Sequence, residues 1–352
     1  MLPPDRLEQE VPRQARARRP LQGPAPSWRL GGVLALVWLV FGGTTNARAA
    51  GGGVRLARKY RPGQSMVYLS KVATNSKVDS DPPTLKSFFP PMPTNLRLSQ
   101  QSTVTVAKVQ PGGGADVQHR FDKFDIEIDL TELPENMRDT ITQAQHEVSQ
   151  QMVGKTLTAH YGSDGHLVDF EGADSLFRDI DAPVREPLLQ MVRLFLEQMG
   201  GQSLYPDHPV RVNEEWTQNL DAQPAKDYPF QVHGKSTMHY SGKTRYHGAK
   251  AAIVDYRFEN ILTPAATALR KGGALPQLEA MGMHLDMQIR GKGQGRILVA
   301  LDDGRVLQNH STLHQTLSAL MKGKEGLMAS ADMTPRLEIQ SDTDIEVEGN
   351  NP

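Results

Sequence analysis

The chain has no cysteine among its 352 residues, and every use of that residue falls with it. There is no disulfide, no thiol nucleophile, no zinc ribbon, no iron–sulfur cluster and no lipid anchor through a cleavage-site cysteine. Aromatic residues make up only 6% of the sequence, with three tryptophans. A transmembrane barrel needs aromatic girdles on many strands, so that architecture is disfavoured. No apolar run approaches the roughly 20 residues of a spanning helix. Gly-x-Ser-x-Gly, His-Glu-x-x-His, the P-loop and the dinucleotide fingerprint are all missing. No strong excess of one charge is present either, the formal net charge being −1.

What is present begins at the N-terminus. Arg6, Arg13, Arg16, Arg18, Arg19 and Arg29 punctuate a polar leader, and Leu30 to Phe41 is almost wholly apolar. Gly42-Gly43 breaks that run, and Ala47-Arg48-Ala49 gives a small-x-small cleavage signature. Charged region, short apolar region and small-residue site stand in the order of a secretory signal peptide, so residues 1–49 are expected to be removed on export. An uncleaved anchor would need the apolar stretch to continue past Phe41, which it does not. Cleavage takes seven arginines and three acids away and moves the formal charge to −5. No basic run remains for nucleic acid or anionic membrane surfaces. The expected location is periplasmic or extracellular.

The remaining 303 residues are dominated by period-two alternation. Leu96, Leu98, Val104 and Val106 share one face of a strand, with Arg97, Ser99, Gln101, Thr103 and Thr105 on the other. Phe124, Ile126, Ile128 and Leu130 alternate with Lys123, Asp125, Glu127 and Asp129. Leu285, Met287 and Ile289 oppose Asp286, Gln288 and Arg290, and Leu337, Ile339, Ile345 and Val347 oppose Glu338, Gln340, Asp344 and Glu346. Such strands have one dry and one wet face, as in antiparallel sheets. Two segments switch to helical spacing. One carries Met137, Ile141, Ala144, Val148 and Met152 after Pro134; the other runs from about Pro183 to Met199 and stops at Gly200-Gly201. Proline clusters at Asp81-Pro82-Pro83 and Phe89-Pro90-Pro91-Met92-Pro93 mark a loop.

The two halves resemble each other at their turns. Arg61-Pro62-Gly63-Gln64 matches Arg211-Val212-Asn213-Glu214, Gly114-Ala115 matches Gly248-Ala249, and Ser163-Asp164-Gly165 matches Asp302-Asp303-Gly304. These offsets suggest a duplicated unit. The expected fold is α+β: two similar curved antiparallel sheet units with helices packed on the dry face. The first unit spans 50–202 with two helices and the second 203–349, with a hinge at Gly200–Pro209.

The segment Leu204-Tyr205-Pro206-Asp207-His208-Pro209-Val210-Arg211-Val212-Asn213-Glu214-Glu215-Trp216 resembles a Pro-x-x-Pro-Val-x-x-(Gly)-x-x-Trp element. That element belongs to a family of exported bacterial β-rich proteins of unknown function. Asn213 stands at the usual glycine, and asparagine also tolerates left-handed geometry. The resemblance implies an exported, envelope-associated fold and carries no site residues with it.

Candidate chemistry is thin. His310 and His314 are four apart, but they follow a strand and lack a third ligand. His160 with His166, and His233 with His239 and His247, fall near hairpin ends. Met281-Gly282-Met283-His284-Leu285-Asp286-Met287 holds thioether and imidazole groups suited to Cu(I). On a strand, however, Met283 and Met287 face away from His284. Glu214-Glu215 and Asp302-Asp303 are adjacent acids, whose side chains diverge on a strand. Gly291-Lys292-Gly293-Gln294-Gly295 reads as a flexible hairpin turn. The expectation is therefore a non-enzymatic envelope protein with no catalytic or metal residues and no cofactor. It would bind an apolar ligand (a lipid) or an envelope protein. The alternatives are a structural or interaction protein without ligand, and copper binding through Met281–Met287.

Overall fold

The computed structural model describes residues 53–81, 95–131, 135–178, 205–219, 230–264, 283–323 and 334–348, with five helical positions between 185 and 196. The N-terminal segment 1–49, the proline-rich loop from Pro82 to Pro93 and the first half of the hinge lie outside the described residues.

The strands are β1 (Ser65–Asp81), β2 (Asn95–Val109), β3 (Ala115–Ile128), β4 (Thr156–Tyr161), β5 (Leu167–Glu171), β6 (Glu215–Asn219), β7 (Phe230–Tyr246), β8 (Ala249–Pro264), β9 (Met283–Ala300), β10 (Val306–Gly323) and β11 (Thr334–Glu348). All eleven join one antiparallel sheet in the order β5-β4-β3-β2-β1-β11-β10-β9-β8-β7-β6. The expected pair of separate sheet units roofed by helices is thereby overturned. The physical reason is the seam. β1 and β11 would each be an exposed edge of its own meander, and they satisfy each other's backbone groups from Val67–Glu348 to Asp81–Thr334. A pairing between residues so far apart leaves no trace in local periodicity.

The helical contribution is small. Helix α1 (Glu135–Met152) touches the sheet chiefly at β3, through buried Met152 and partly buried Val148, and most of its described surface is exposed. Helix α2 (Ala173–Leu176) is a single turn. Of the second expected helix, Arg185, Leu189, Val192, Arg193 and Leu196 are described and helical, with Val192 and Leu196 buried in the first core. No described helix is long and apolar enough to cross a membrane.

The alternation places one dry face across the whole sheet. A single row runs Ile128, Leu96, Thr74, Ser341, Leu313, Gly293, Phe258, Ser236 and Gln218 through the pairings of β3 to β6. Two cores occupy this face, one on β1–β5 and β11, the other on β6–β10. The Gly-rich stretch is a correction. It is no turn but the middle of β9, where Gly291, Gly293 and Gly295 sit opposite Asn260, Phe258 and Tyr256 of β8. A Cβ on Gly293 would come within 2.4 Å of Phe258 Cζ, so the missing side chain is the space the ring fills.

Candidate functional site

The dry face is concave, and residues 54–64 close one end of it. Val54 pairs with Val210 just before β6, while Tyr60 stacks on Tyr161 at the end of β4, with ring centroids 5.9 Å apart. Nine inter-strand spacings separate β4 from β6 along the sheet, about 43 Å at the usual spacing. The six steps from Val54 to Tyr60 reach at most about 21 Å. The stretch from Val210 to β6 and the paired side chains supply the remainder as the arms bend toward the dry face. Bulges between Gln101 and Ser102, Val106 and Lys108, and Tyr240 and Gly242 add local twist to that bend.

The covering segment is held from below. Lys59 N donates to Asp303 O at 2.8 Å, and a Cβ on Gly304 (φ 70°) would lie 2.1 Å from Ala57 O. The central motif supplies the rest of the seat. The Tyr205 hydroxyl donates to Gly304 O, Val210 is fully buried against Val54, and Trp216 enters the second core. His208 lies between Asp207 (2.8 Å) and Glu214 (2.9 Å), and the hydrogen bonds to those two carboxylates raise its pKa. Asn213 adopts a left-handed φ of 66°. This turn and the one before β1 have the same hydrogen bonding. Asn213 N donates to Tyr240 O and Tyr240 N to Glu214 O, just as Gly63 N donates to Val106 O and Val106 N to Gln64 O.

Above that floor the concave face is mixed. Apolar walls come from Tyr68, Val72, Leu98, Val104, Met238 and Val254. Among them stand buried Ser70, Gln100, Ser102, Gln315 and Gln218. Ser70 Oγ, Ser102 Oγ, both amide atoms of Gln315 and Gln218 Oε1 have no hydrogen-bond partner among the described residues. His119, 1% exposed, points inward from β3. Burial, with a further contribution from the charge of Arg58, lowers its pKa to about 3, so it is neutral at ordinary pH. Phe124, Ile126 and Ile128 line the same face farther along β3 and are only half-buried.

The segment places a charge at the floor. Arg58 is 8% exposed, with its Cζ 5.0 Å from the Tyr60 ring centroid. Asp303 is fully buried and bonded by Gln64 Nε2 (2.6 Å), Arg305 Nη1 (2.8 Å) and Arg305 N (3.1 Å). Burial raises the pKa of Tyr60 to about 12 and also raises that of Tyr68, so both phenols stay neutral. Asp303 stands in the turn between β9 and β10, as the Asp302-Asp303-Gly304 sequence implies, while no motif marks Arg58. The only sequence signal was that 54–60 alternates Val54, Leu56, Arg58, Tyr60, with a charge in an apolar phase.

The remaining sequence candidates scatter over the wet face and its turns. His310 bonds Asp344 at 2.5 Å, His239 bonds Ser241 at 2.9 Å, and His160 bonds Asp116 at 2.8 Å. His314 stands on the same wet face as His310, and His166 bonds Asp164 within its turn. Among the described residues no three His, Asp or Glu side chains converge as metal ligands. Met281 and the side chains from Met283 to Met287 lie outside the described residues. Glu215 pairs with Arg257 at 3.7 Å while Glu214 serves His208, so the adjacent acids do diverge. A wet-face groove of about 390 Å³ lies between Lys235, Arg257, Glu259, Lys292, Gln294 and His314. It is a space between long side chains of neighbouring strands, and Glu259 stands directly opposite both Lys235 and Lys292.

No protein-family model matches the chain, and no curated protein matches it. Among solved structures, one of lipovitellin, described for its lipid–protein interactions, is similar at 14% identity and a TM-score of 0.37. The similarity covers 83% of this chain, which spans 26% of the lipovitellin chain.

Proposed function

We propose that this is an exported envelope protein that binds an elongated, largely apolar ligand on its concave dry face and performs no chemistry on it. The observation that carries the reading is the mixed lining. A core that only fills space gains nothing from Ser70, Ser102, Gln218 and Gln315, each with at least one polar atom that lacks a partner among the described residues, and each such atom costs about 1–3 kcal/mol. Ligand sites combine apolar walls with a few polar groups, and that is the composition here. Export rests on the order of charged, apolar and small residues in 1–49.

The test is to produce the chain with its own N-terminal segment in a bacterium and purify it from the envelope. Its intact mass is then measured and the sample extracted with organic solvent. The expected result is a chain starting at Ala50 that releases an acyl-bearing molecule. A mass retaining residues 1–49 would overturn export. An empty extract, with no uptake of a fluorescent hydrocarbon by the purified protein, would overturn ligand binding.

A further inference from the structure

Among the described residues, the floor of the concave face holds two buried cations and one buried anion. Arg58 and Arg305 bring two guanidinium groups, 8% and 9% exposed, and Asp303 brings one carboxylate. Both oxygens of that carboxylate are already engaged by Gln64 and Arg305. Arg58 Nε, Arg58 Nη1 and Arg305 Nε have no acceptor among the described residues. Asp303 acts on the Arg58 charge through space while its hydrogen bonds go to Gln64 and Arg305, and a buried cation without a hydrogen-bonded anion is disfavoured unless something anionic completes it. The position narrows what that anion is. The Arg58 charge reaches His119 on β3 and is bordered by Tyr60, Tyr68 and Tyr205, so it looks into the dry face rather than toward solvent. A small hydrated ion gains nothing from those aromatic walls, whereas an amphiphile places its head on the guanidinium and its tail along them.

We propose that Arg58 receives the oxyanion head of a monoanionic amphiphile, the carboxylate of a long-chain fatty acid, whose chain lies along the dry face of the sheet. The inference rests on the apolar-ligand reading above and adds the head group and its receptor.

The test uses the purified, delipidated protein and an uncharged fluorescent hydrocarbon as the displaced probe. Hexadecanoate and hexadecan-1-ol share a chain length and differ in the head. The wild type is expected to bind the acid at least about tenfold more tightly than the alcohol, and Arg58→Gln to remove that preference while leaving the alcohol's affinity in place. Arg58→Lys should keep part of it. Equal affinities in the wild type, or a preference that survives Arg58→Gln, would overturn the head-group inference and leave the apolar site standing. Binding of neither ligand would overturn both. Displacement by acetate or inorganic phosphate alone would replace the amphiphile with a free anion and so overturn the proposal. Thermal unfolding without ligand supplies the structural control. Arg58→Gln removes a buried charge that lacks a hydrogen-bonded anion among the described residues and should melt at or above the wild type. A lower melting temperature together with loss of both ligands would make Arg58 a structural cation and sink the assignment.

Discussion

The two arms of the sheet fill the same dry face by opposite means. On β1–β5 the core gathers chain from outside the sheet: Met152 of α1, Leu176 and Phe177 after β5, and helical Val192 and Leu196 join Leu157, Ala159 and Tyr161 of β4. The Tyr161 hydroxyl even donates to Leu196 O at 2.7 Å. On β6–β10 no described helix takes part. Leu56 and Val210 join that core from outside the strands, and Tyr256 and Phe258 of β8 lie over Gly295 and Gly293 of β9, so rings of the sheet fill the space the glycines leave. The first arm depends on volume supplied from elsewhere, and the second on volume withheld. Removing atoms should hurt the first arm most, and adding them the second.

That contrast can be broken directly. Leu196→Ala deletes a fully buried side chain from the first core and should lower stability by about 2–5 kcal/mol in urea unfolding. Gly293→Ala inserts a Cβ within 2.4 Å of both Phe258 Cζ and Thr312 O, and should lower it by about 1–3 kcal/mol. Combining Gly293→Ala with Phe258→Leu should recover part of the loss, because the two residues share one space. If Gly293→Ala is harmless alone, β9 is not packed as a groove for the rings.

The arms also differ in titration. His119 belongs to the first, and no described histidine of the second is buried. Burial holds its folded pKa near 3, against 6.5 for the ordinary side chain. Between those values the unfolded chain binds the extra proton, so stability is full above the unfolded pKa and falls as pH drops below it. Between pH 7 and pH 5 this single group should remove about 2 kcal/mol. His119→Gln should flatten that part of the profile. A His119→Gln profile that changes between pH 7 and pH 5 as the wild type does would show that His119 is already protonated or exposed when folded.

The strand faces were legible because alternation is a local property. Leu96, Leu98, Val104, Val106, Ile345 and Val347 are buried where period two puts them. The merger of two meanders was not legible, because the β1–β11 seam pairs residues such as Ser70 and Ile345 that share no local signal. The glycines of β9 were misread for the converse reason. A local rule treats Gly-x-Gly-x-Gly as a turn, while its meaning lies in Phe258 and Tyr256 on the neighbouring strand. The site suffered most. Arg58 is a single charge in a short apolar phase, and only the fold reveals that Asp303 and three tyrosines act on it.

The smallest effect concerns what the arms share. Gly63 and Asn213 hold the same left-handed place in two turns with identical hydrogen bonding, at φ 75° and 66°. A Cβ on Gly63 would meet nothing within 4 Å, so its conformation alone sets the penalty for a side chain there. Gly63→Ala should therefore lower stability by about 1 kcal/mol, and Gly63→Asn by less, since asparagine already serves at the matching position. Asn213→Gly should be close to neutral, because relief of the left-handed backbone offsets the added freedom of the unfolded chain. Urea midpoints for the three variants decide the matter. Similar small values would make the turns interchangeable parts of two arms that differ only in how they are filled, and a large loss for Asn213→Gly would give the asparagine side chain a contact that its twin does not have.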